Sequence, residues 1–184
     1  MIEDWNDPEF CLLKVRENSL NLEFVINQTP EMCLEAVKEH GYALEYVKEQ
    51  TPEICLEAVK QNGNALEYVK EQTPEMCLEA VKQHGHTLKW VQNQTPEICL
   101  EAVKQYGLAL EYVKEQTQEI CLEAVKQNGN ALDYVKEQTP LIIHYLKKYH
   151  ISIYKSFKKE NRITIPDNEM KKFYNDNPHL LLTL

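Results

Sequence analysis

Apolar and polar residues follow one another along this chain in a pattern that returns every 22 residues. A typical copy, residues 51–72, reads TPEICLEAVKQNGNALEYVKEQ. Positions 5, 6, 8 and 9 of the copy form one apolar stripe at helical spacing, and positions 15, 16 and 19 form a second. Each copy is therefore predicted to fold as a hairpin of two short helices.

Threonine, proline and glycine mark where these helices begin and end. Thr-Pro starts at residues 29, 51, 73, 95 and 139, and Thr117-Gln118 stands at the remaining step. The threonine is predicted to cap the first helix, with proline in its first turn. The glycine at position 13 is predicted to end that helix as a left-handed residue, and the second helix is expected over about positions 14–22. A continuous helix is disfavoured, because glycine and proline inside every copy would cost about 1 and about 3 kcal/mol.

Tandem copies account for most of the chain. Residues 1–6 form a short lead, 7–28 a degenerate copy, 29–138 five close copies and 139–184 a divergent basic segment. Units of this kind stack on one another because none can bury its own apolar face alone. The sequence therefore predicts an all-α fold, an alpha solenoid of 22-residue helical-hairpin repeats with a cap at each end.

Both ends are interpreted as caps from their own residues. Copy 7–28 has Lys14 and Asn21 at positions 8 and 15, where nearly all the other copies have alanine. We therefore expect these positions to face the preceding copy. In 139–184, residues 162–166 are expected to be extended and 167–174 to form a short helix. An apolar stripe is predicted to cover the last copy; its members are Ile142, Leu146, Tyr149, Ile153 and Phe157.

The run from Cys55 to Glu75, CLEAVKQNGNALEYVKEQTPE, resembles the helical repeats known as domain of unknown function 4116. The resemblance covers 29–138 closely and 7–28 loosely. It implies a helical repeat protein of the kind found in giant DNA viruses of amoebae and in amoeba-associated bacteria. It implies no particular activity, ligand or catalytic residue.

Composition and charge narrow the classes of function. The chain has 184 residues, 43% of them apolar, and a net charge of −9. Residues 139–184 hold eight basic and four acidic residues, so the first 138 residues carry −13. This acidity disfavours nucleic-acid binding by the repeats. No apolar run approaches the ~20 residues of a membrane span, and the acidic start lacks the features of a signal peptide. We expect an intracellular protein without a membrane segment, in the host cytoplasm if it is viral.

No arrangement of residues points to catalysis or to a cofactor. The six cysteines all fall at position 5, a spacing unlike that of zinc motifs. Stacked helices lie roughly 8–10 Å apart, too far for equivalent cysteines to form disulfides, so we expect buried free thiols. His84 and His86 flank a turn glycine and could ligate a metal, although solvent-facing loop residues explain them more simply. We expect no enzyme activity, no metal, no cofactor and no small-molecule substrate.

Differences between the copies single out candidate partner-binding residues. Positions 12 and 14, beside the glycine, vary while most positions barely change, and copy 73–94 departs furthest from the others. Positions that meet a ligand can diversify, and tryptophan is enriched among binding hot spots. The alternative is neutral drift in exposed loops. The candidates are His84, His86, Lys89, Trp90, His40, Tyr42 and Tyr106.

Three interpretations of function follow. The first is a non-enzymatic protein-interaction module, possibly a viral one that engages a host factor, with an unidentified protein as partner. The second is a structural or self-assembling protein. The third is nucleic-acid binding through residues 147–159, where lysines alternate with aromatic residues.

Overall fold

A computed structural model describes residues 4–181 of the chain, which form two compact units. The first unit ends at Asn93 and the second begins at Gln94. In the first unit, four α-helices alternate with four short 3₁₀-helices. Their bounds are α1 (Pro8–Glu17), η1 (Ser19–Phe24), α2 (Pro30–Glu39), η2 (Gly41–Tyr46), α3 (Pro52–Gln61), η3 (Gly63–Tyr68), α4 (Pro74–Gln83) and η4 (Gly85–Trp90).

The second unit continues the alternation and then departs from it. Its elements are α5 (Pro96–Gln105), η5 (Gly107–Tyr112), α6 (Gln118–Gln127), η6 (Gly129–Tyr134), α7 (Pro140–Tyr149), α8 (Ile151–Lys159), α9 (Asp167–Asp176) and α10 (Pro178–Leu181). Within each unit the α-helices of successive copies pack on one another, and so do the 3₁₀-helices. This repeated stacking, with helices as the only regular elements in residues 4–181, confirms the predicted all-α solenoid.

The predicted starts of the first helices are confirmed. In copy 51–72 the Thr51 hydroxyl accepts a hydrogen bond from the Ile54 N–H at 3.3 Å, and Pro52 is the first helical residue. The other threonines that open copies, and Thr139, cap their helices in the same way. Threonine oxygen thus satisfies an N–H that has no partner within the helix, and proline has no N–H to satisfy there.

The prediction of an α-helix over positions 14–22 is wrong, because the second half of each copy is a six-residue 3₁₀-helix that ends at position 18. The reason is a glutamine from the preceding copy. The Gln50 amide donates to the Tyr68 carbonyl at 2.8 Å and accepts from the Lys70 N–H at 3.0 Å. These backbone groups therefore bind the neighbouring copy and do not continue a helix. Gln28, Gln94 and Gln116 make the same pair of bonds.

The glycine at position 13 is not left-handed, contrary to the prediction, since no glycine of the chain has a positive φ. It is needed because the next copy lies too close for a side chain. A Cβ on Gly41 would stand 2.6 Å from the carbonyl oxygen of Ala58. The Gly41 N–H also donates to the Gln61 side chain at 2.7 Å. Ala58 thus faces the preceding copy, as predicted for position 8.

The core differs from the predicted stripe at one position. In copy 51–72 the buried residue is Ile54 at position 4, whereas Leu56 at position 6 is only half-buried. Positions 4, 5, 8 and 9 lie on one face of a helix that starts at position 2, and position 6 is turned away from it. The second predicted stripe, at positions 15, 16 and 19, is buried as expected.

All six cysteines are buried and free, as predicted. In the inner copies the thiol points at the glutamine that ends the preceding copy; Cys55 Sγ lies 3.5 Å from Gln50 Oε1. Burial raises the pKa of Cys33, Cys55 and Cys77, and the same effect acts on Cys99 and Cys121.

The divergent C-terminal segment, as far as residue 181, forms four helices. Ile142, Leu146 and Phe157 are buried. Tyr149 of the predicted stripe is 53% exposed, because the helix is interrupted at His150, between α7 and α8. The predicted helix over 167–174 is confirmed as α9, and α10 was not predicted. Residues 1–3 of the predicted lead and 182–184 of the predicted cap lie outside the described residues.

Candidate functional site

The candidate residues of copy 73–94 lie together around the turn between α4 and η4. The His84 and His86 rings stack with centroids 5.5 Å apart, and the His86 ring meets Trp90 edge-on at 6.2 Å. The Lys89 ammonium lies over the Trp90 ring, 4.1 Å from its centroid. We call these four residues, His84, His86, Lys89 and Trp90, the turn cluster.

Local sequence explains why these side chains meet. In copy 73–94 the α-helix ends at position 11, the residue at position 12 is extended, and the 3₁₀-helix begins at position 13. Positions 12 and 14 therefore lie on either side of a buried glycine. His86 and Trp90 belong to the same short helix, and their rings are large enough to meet across it. The Lys89 side chain can then reach back over the Trp90 ring, a cation–π contact that holds it in place.

His86 is held by a neighbour from the preceding copy. Its Nε2 lies 3.0 Å from Oδ1 of Asn64, at the same position of copy 51–72. Burial lowers the pKa of His86, and the nearby His84 and Lys89 lower it further. The lowered pKa favours the neutral form of the His86 ring near pH 7.

Two of the other candidates form a second cluster in the first unit. The His40 and Tyr42 rings are 5.7 Å apart, and Tyr42 meets the ring of Tyr68 edge-on at 6.0 Å. Tyr68 and Asn64 belong to the same 3₁₀-helix, η3. Copy 51–72 therefore connects the His40–Tyr42 pair to the turn cluster through η3.

Sequence reasoning missed Asn64 and Tyr68 as parts of this surface. Tyr68 is the consensus aromatic of position 18, and Asn64 matches Asn130 of another copy, so neither stood out as a departure. Their role comes from the stacking of one copy on the next. Tyr106, the remaining candidate, belongs to the second unit, where its side chain is 40% exposed.

Three basic side chains of the C-terminal segment form ion pairs or cation–π contacts within the second unit. Lys158 Nζ lies 3.0 Å from Asp167 Oδ1, and Arg162 forms ion pairs with Asp133 and Glu160. The Lys148 ammonium lies over the rings of Tyr145 and Tyr149. The pair between Arg162 and Asp133 joins the basic segment to the last repeat, whereas the other contacts lie within the segment itself.

Residues 4–181 contain no group of three or more histidine, cysteine, aspartate or glutamate side chains placed to hold a metal ion. In the same residues, no helix combines the length and the apolar character that a membrane span requires.

Stacked 22-residue units, tied together by position-specific glutamines and glycines, define the chain as a tandem helical repeat protein. The family described as a domain of unknown function, DUF4116, matches residues 29–73, 51–94, 73–118 and 95–139, and each match spans two successive copies. These matches together cover more than half of the chain, and the protein belongs to this family. No curated protein and no solved structure matches it.

Proposed function

We propose that this protein is a non-enzymatic protein-interaction module and that the turn cluster is its contact surface. The observation that carries the proposal is the joining of His84, His86, Lys89 and Trp90 into one set of touching side chains in a copy that otherwise keeps the repeat framework. Trp90 is half-buried, and tryptophan is enriched among the residues that dominate binding at protein interfaces.

The contacts of the turn cluster support this role. The His86 ring contacts Asn64 and the Lys89 ammonium lies over Trp90, so these contacts favour one arrangement of the side chains before a partner binds. The second cluster, His40 with Tyr42 and Tyr68, extends the same kind of aromatic surface over the two preceding copies. A protein partner could therefore contact three successive copies.

We further propose an intracellular setting, because six buried free thiols suit a reducing compartment. The resemblance to repeats of giant amoebal viruses makes amoebal host proteins the first partners to test. The net charge of −9 of the chain disfavours nucleic acid as the partner.

The test is capture of amoebal proteins by the wild-type chain and by the triple variant His86→Asn, Lys89→Glu, Trp90→Tyr. Each substitution installs a residue that other copies carry at that position, so the fold should be kept. We expect a protein bound by the wild type to lose at least tenfold in affinity for the purified triple variant, about 1.4 kcal/mol.

The matched control is the pair Gln92→Lys, Asn93→Glu, which restores the consensus in the same copy but outside the turn cluster. The control should bind as the wild type does. Equal affinity of the triple variant and the wild type for every captured protein would refute the proposed surface.

A further inference from the structure

The N-terminal copy exposes an unusual number of large apolar side chains. Eight large apolar residues are exposed in the part of the chain that the structure describes, and half of them lie within residues 7–28. These four are Leu13, Leu20, Phe24 and Ile26. Exposed apolar side chains grouped in this way are typical of an interaction surface.

Three of these residues occupy positions that contact the preceding copy elsewhere in the first unit. At position 7, the carboxylate Oε2 of Glu35 lies 3.5 Å from Nε of Arg16 in the copy before it. At position 18, Tyr68 meets the ring of Tyr42 in the copy before it. At position 20, Lys48 Nζ donates to the Val25 carbonyl at 2.9 Å.

The N-terminal copy has Leu13, Phe24 and Ile26 at these three positions, and we call them the N-terminal face. The ring of Trp5 packs on that of Phe24, with the two centroids 5.3 Å apart, yet Phe24 remains 53% exposed. Inner copies carry glutamate at position 7 and mostly lysine at position 20. The change from these charged residues to leucine and isoleucine makes the face apolar.

The second unit has a cavity of suitable chemistry in its C-terminal segment. Its volume is about 240 Å³, and Ile143, Ile163, Ile165 and Met170 supply apolar walls. Lys158 and Asp167, which form an ion pair with each other, also line it. We call it the C-terminal cavity. A space of this size accepts a leucine or isoleucine side chain.

The net charges of the two ends of the chain are also complementary. Residues 1–28 hold six acidic and two basic residues, a net charge of −4, whereas residues 139–184 carry +4. Two N-terminal faces would repel each other, but an N-terminal face and a C-terminal segment attract.

We propose that the N-terminal face of one molecule docks on the C-terminal cavity of a second copy of this chain, in a head-to-tail contact. Such a contact is heterologous and leaves one face and one cavity free for a further molecule unless a ring closes. The proposal goes beyond the protein-interaction role and uses none of the residues of the turn cluster, so each can fail without the other.

Sedimentation velocity over a range of protein concentrations tests this contact. We expect the wild-type chain to associate reversibly and its association to weaken as salt is raised. The double variant Leu13→Glu, Ile26→Lys carries the residues that inner copies have at these positions. It should associate at least tenfold more weakly and keep the wild-type circular dichroism spectrum.

The control variant Tyr106→Asn removes an exposed apolar side chain elsewhere and should associate as the wild type does. A wild-type chain that stays monomeric at all concentrations would overturn the proposal, as would unchanged association of the double variant.

Mixing two variants separates head-to-tail docking from a symmetric dimer. Met170→Glu blocks the C-terminal cavity and leaves the N-terminal face intact; Lys158→Glu serves as a second block if Met170→Glu does not fold. Neither the blocked variant nor the Leu13→Glu, Ile26→Lys variant should associate alone, but an equal mixture should form heterodimers. Self-association of the blocked variant, strengthened by salt, would show a symmetric contact between N-terminal faces and contradict the proposal.

Discussion

Glycine at position 13 and glutamine at positions 11 and 22 make close contacts between neighbouring copies. The Gln83 side chain accepts from the Gly63 N–H at 2.7 Å, and Gln127 does the same for Gly107. The sequence marked these residues by their regular recurrence. Their roles did not follow from it, because each role depends on atoms of the adjacent copy and a single copy has the same sequence whether or not it is stacked.

Replacing Gly107 by alanine tests the close approach. The added Cβ would stand 2.6 Å from the Ala124 carbonyl oxygen and 2.7 Å from Gln127 Oε1. We expect a loss of about 1–3 kcal/mol in the free energy of unfolding, the usual cost of overpacking, measured by urea denaturation. A left-handed glycine is not required here, so the loss must come from this contact.

The control is Asn130→Ala, beside the glycine of the next copy and exposed to solvent. It should change the free energy of unfolding by less than about 0.5 kcal/mol. A Gly107→Ala variant as stable as the wild type would contradict the close approach.

At the scale of elements, the α-helices were predictable and the 3₁₀-helices were not. Thr51, Pro52 and the apolar stripe define α3 within its own sequence. The second half of the copy has the residues of an α-helix, but η3 ends at Tyr68 because Gln50 binds the backbone that would extend it. The sequence located the start of α7 by Thr139-Pro140 and a short helix over 167–174, which is α9. A buried histidine lies in the contact between α7 and α9.

That histidine, His144 on α7, predicts how the stability of the second unit depends on pH. It is fully buried, its Nδ1 lies 3.3 Å from the Tyr174 hydroxyl of α9, and its Nε2 has no hydrogen-bond partner. Burial lowers the pKa of His144, and Lys148 and Lys147 lower it further.

Below the ordinary histidine pKa of about 6.5, the unfolded chain binds a proton that the folded chain does not, so stability falls as pH falls. Above that pH both states are neutral and His144 contributes no slope. We expect His144→Phe to lose less of its free energy of unfolding than the wild type between pH 7.5 and pH 5, as measured by urea denaturation.

His179→Asn, a change at an exposed histidine of α10, is the control and should keep the wild-type pH dependence. The same slope in His144→Phe and the wild type would contradict this account of the α7–α9 contact. The absolute stabilities of the variants do not enter, because only the slopes are compared.

At the scale of the whole molecule, the period of 22 residues was enough to predict an all-α solenoid. It was also enough to place His84, His86, Lys89 and Trp90 near one turn. The link from that turn to Asn64 comes from a contact between copies, and the exposure of the N-terminal face comes from the structure; the comparison of aligned copies contains neither. The central claim is therefore that backbone groups of each copy are hydrogen-bonded by side chains of a neighbouring copy.

Amide hydrogen exchange of the wild-type chain tests that claim most directly. The N–H groups of Lys48 and Lys70 lie in exposed segments after the 3₁₀-helices, yet they donate to Gln28 and Gln50 of the preceding copies at 2.9 and 3.0 Å. We expect these two amides to exchange about as slowly as the amides within α3, and far more slowly than the adjacent amides of Glu49 and Glu71. Exchange of Lys48 and Lys70 as fast as that of Glu49 and Glu71 would contradict it.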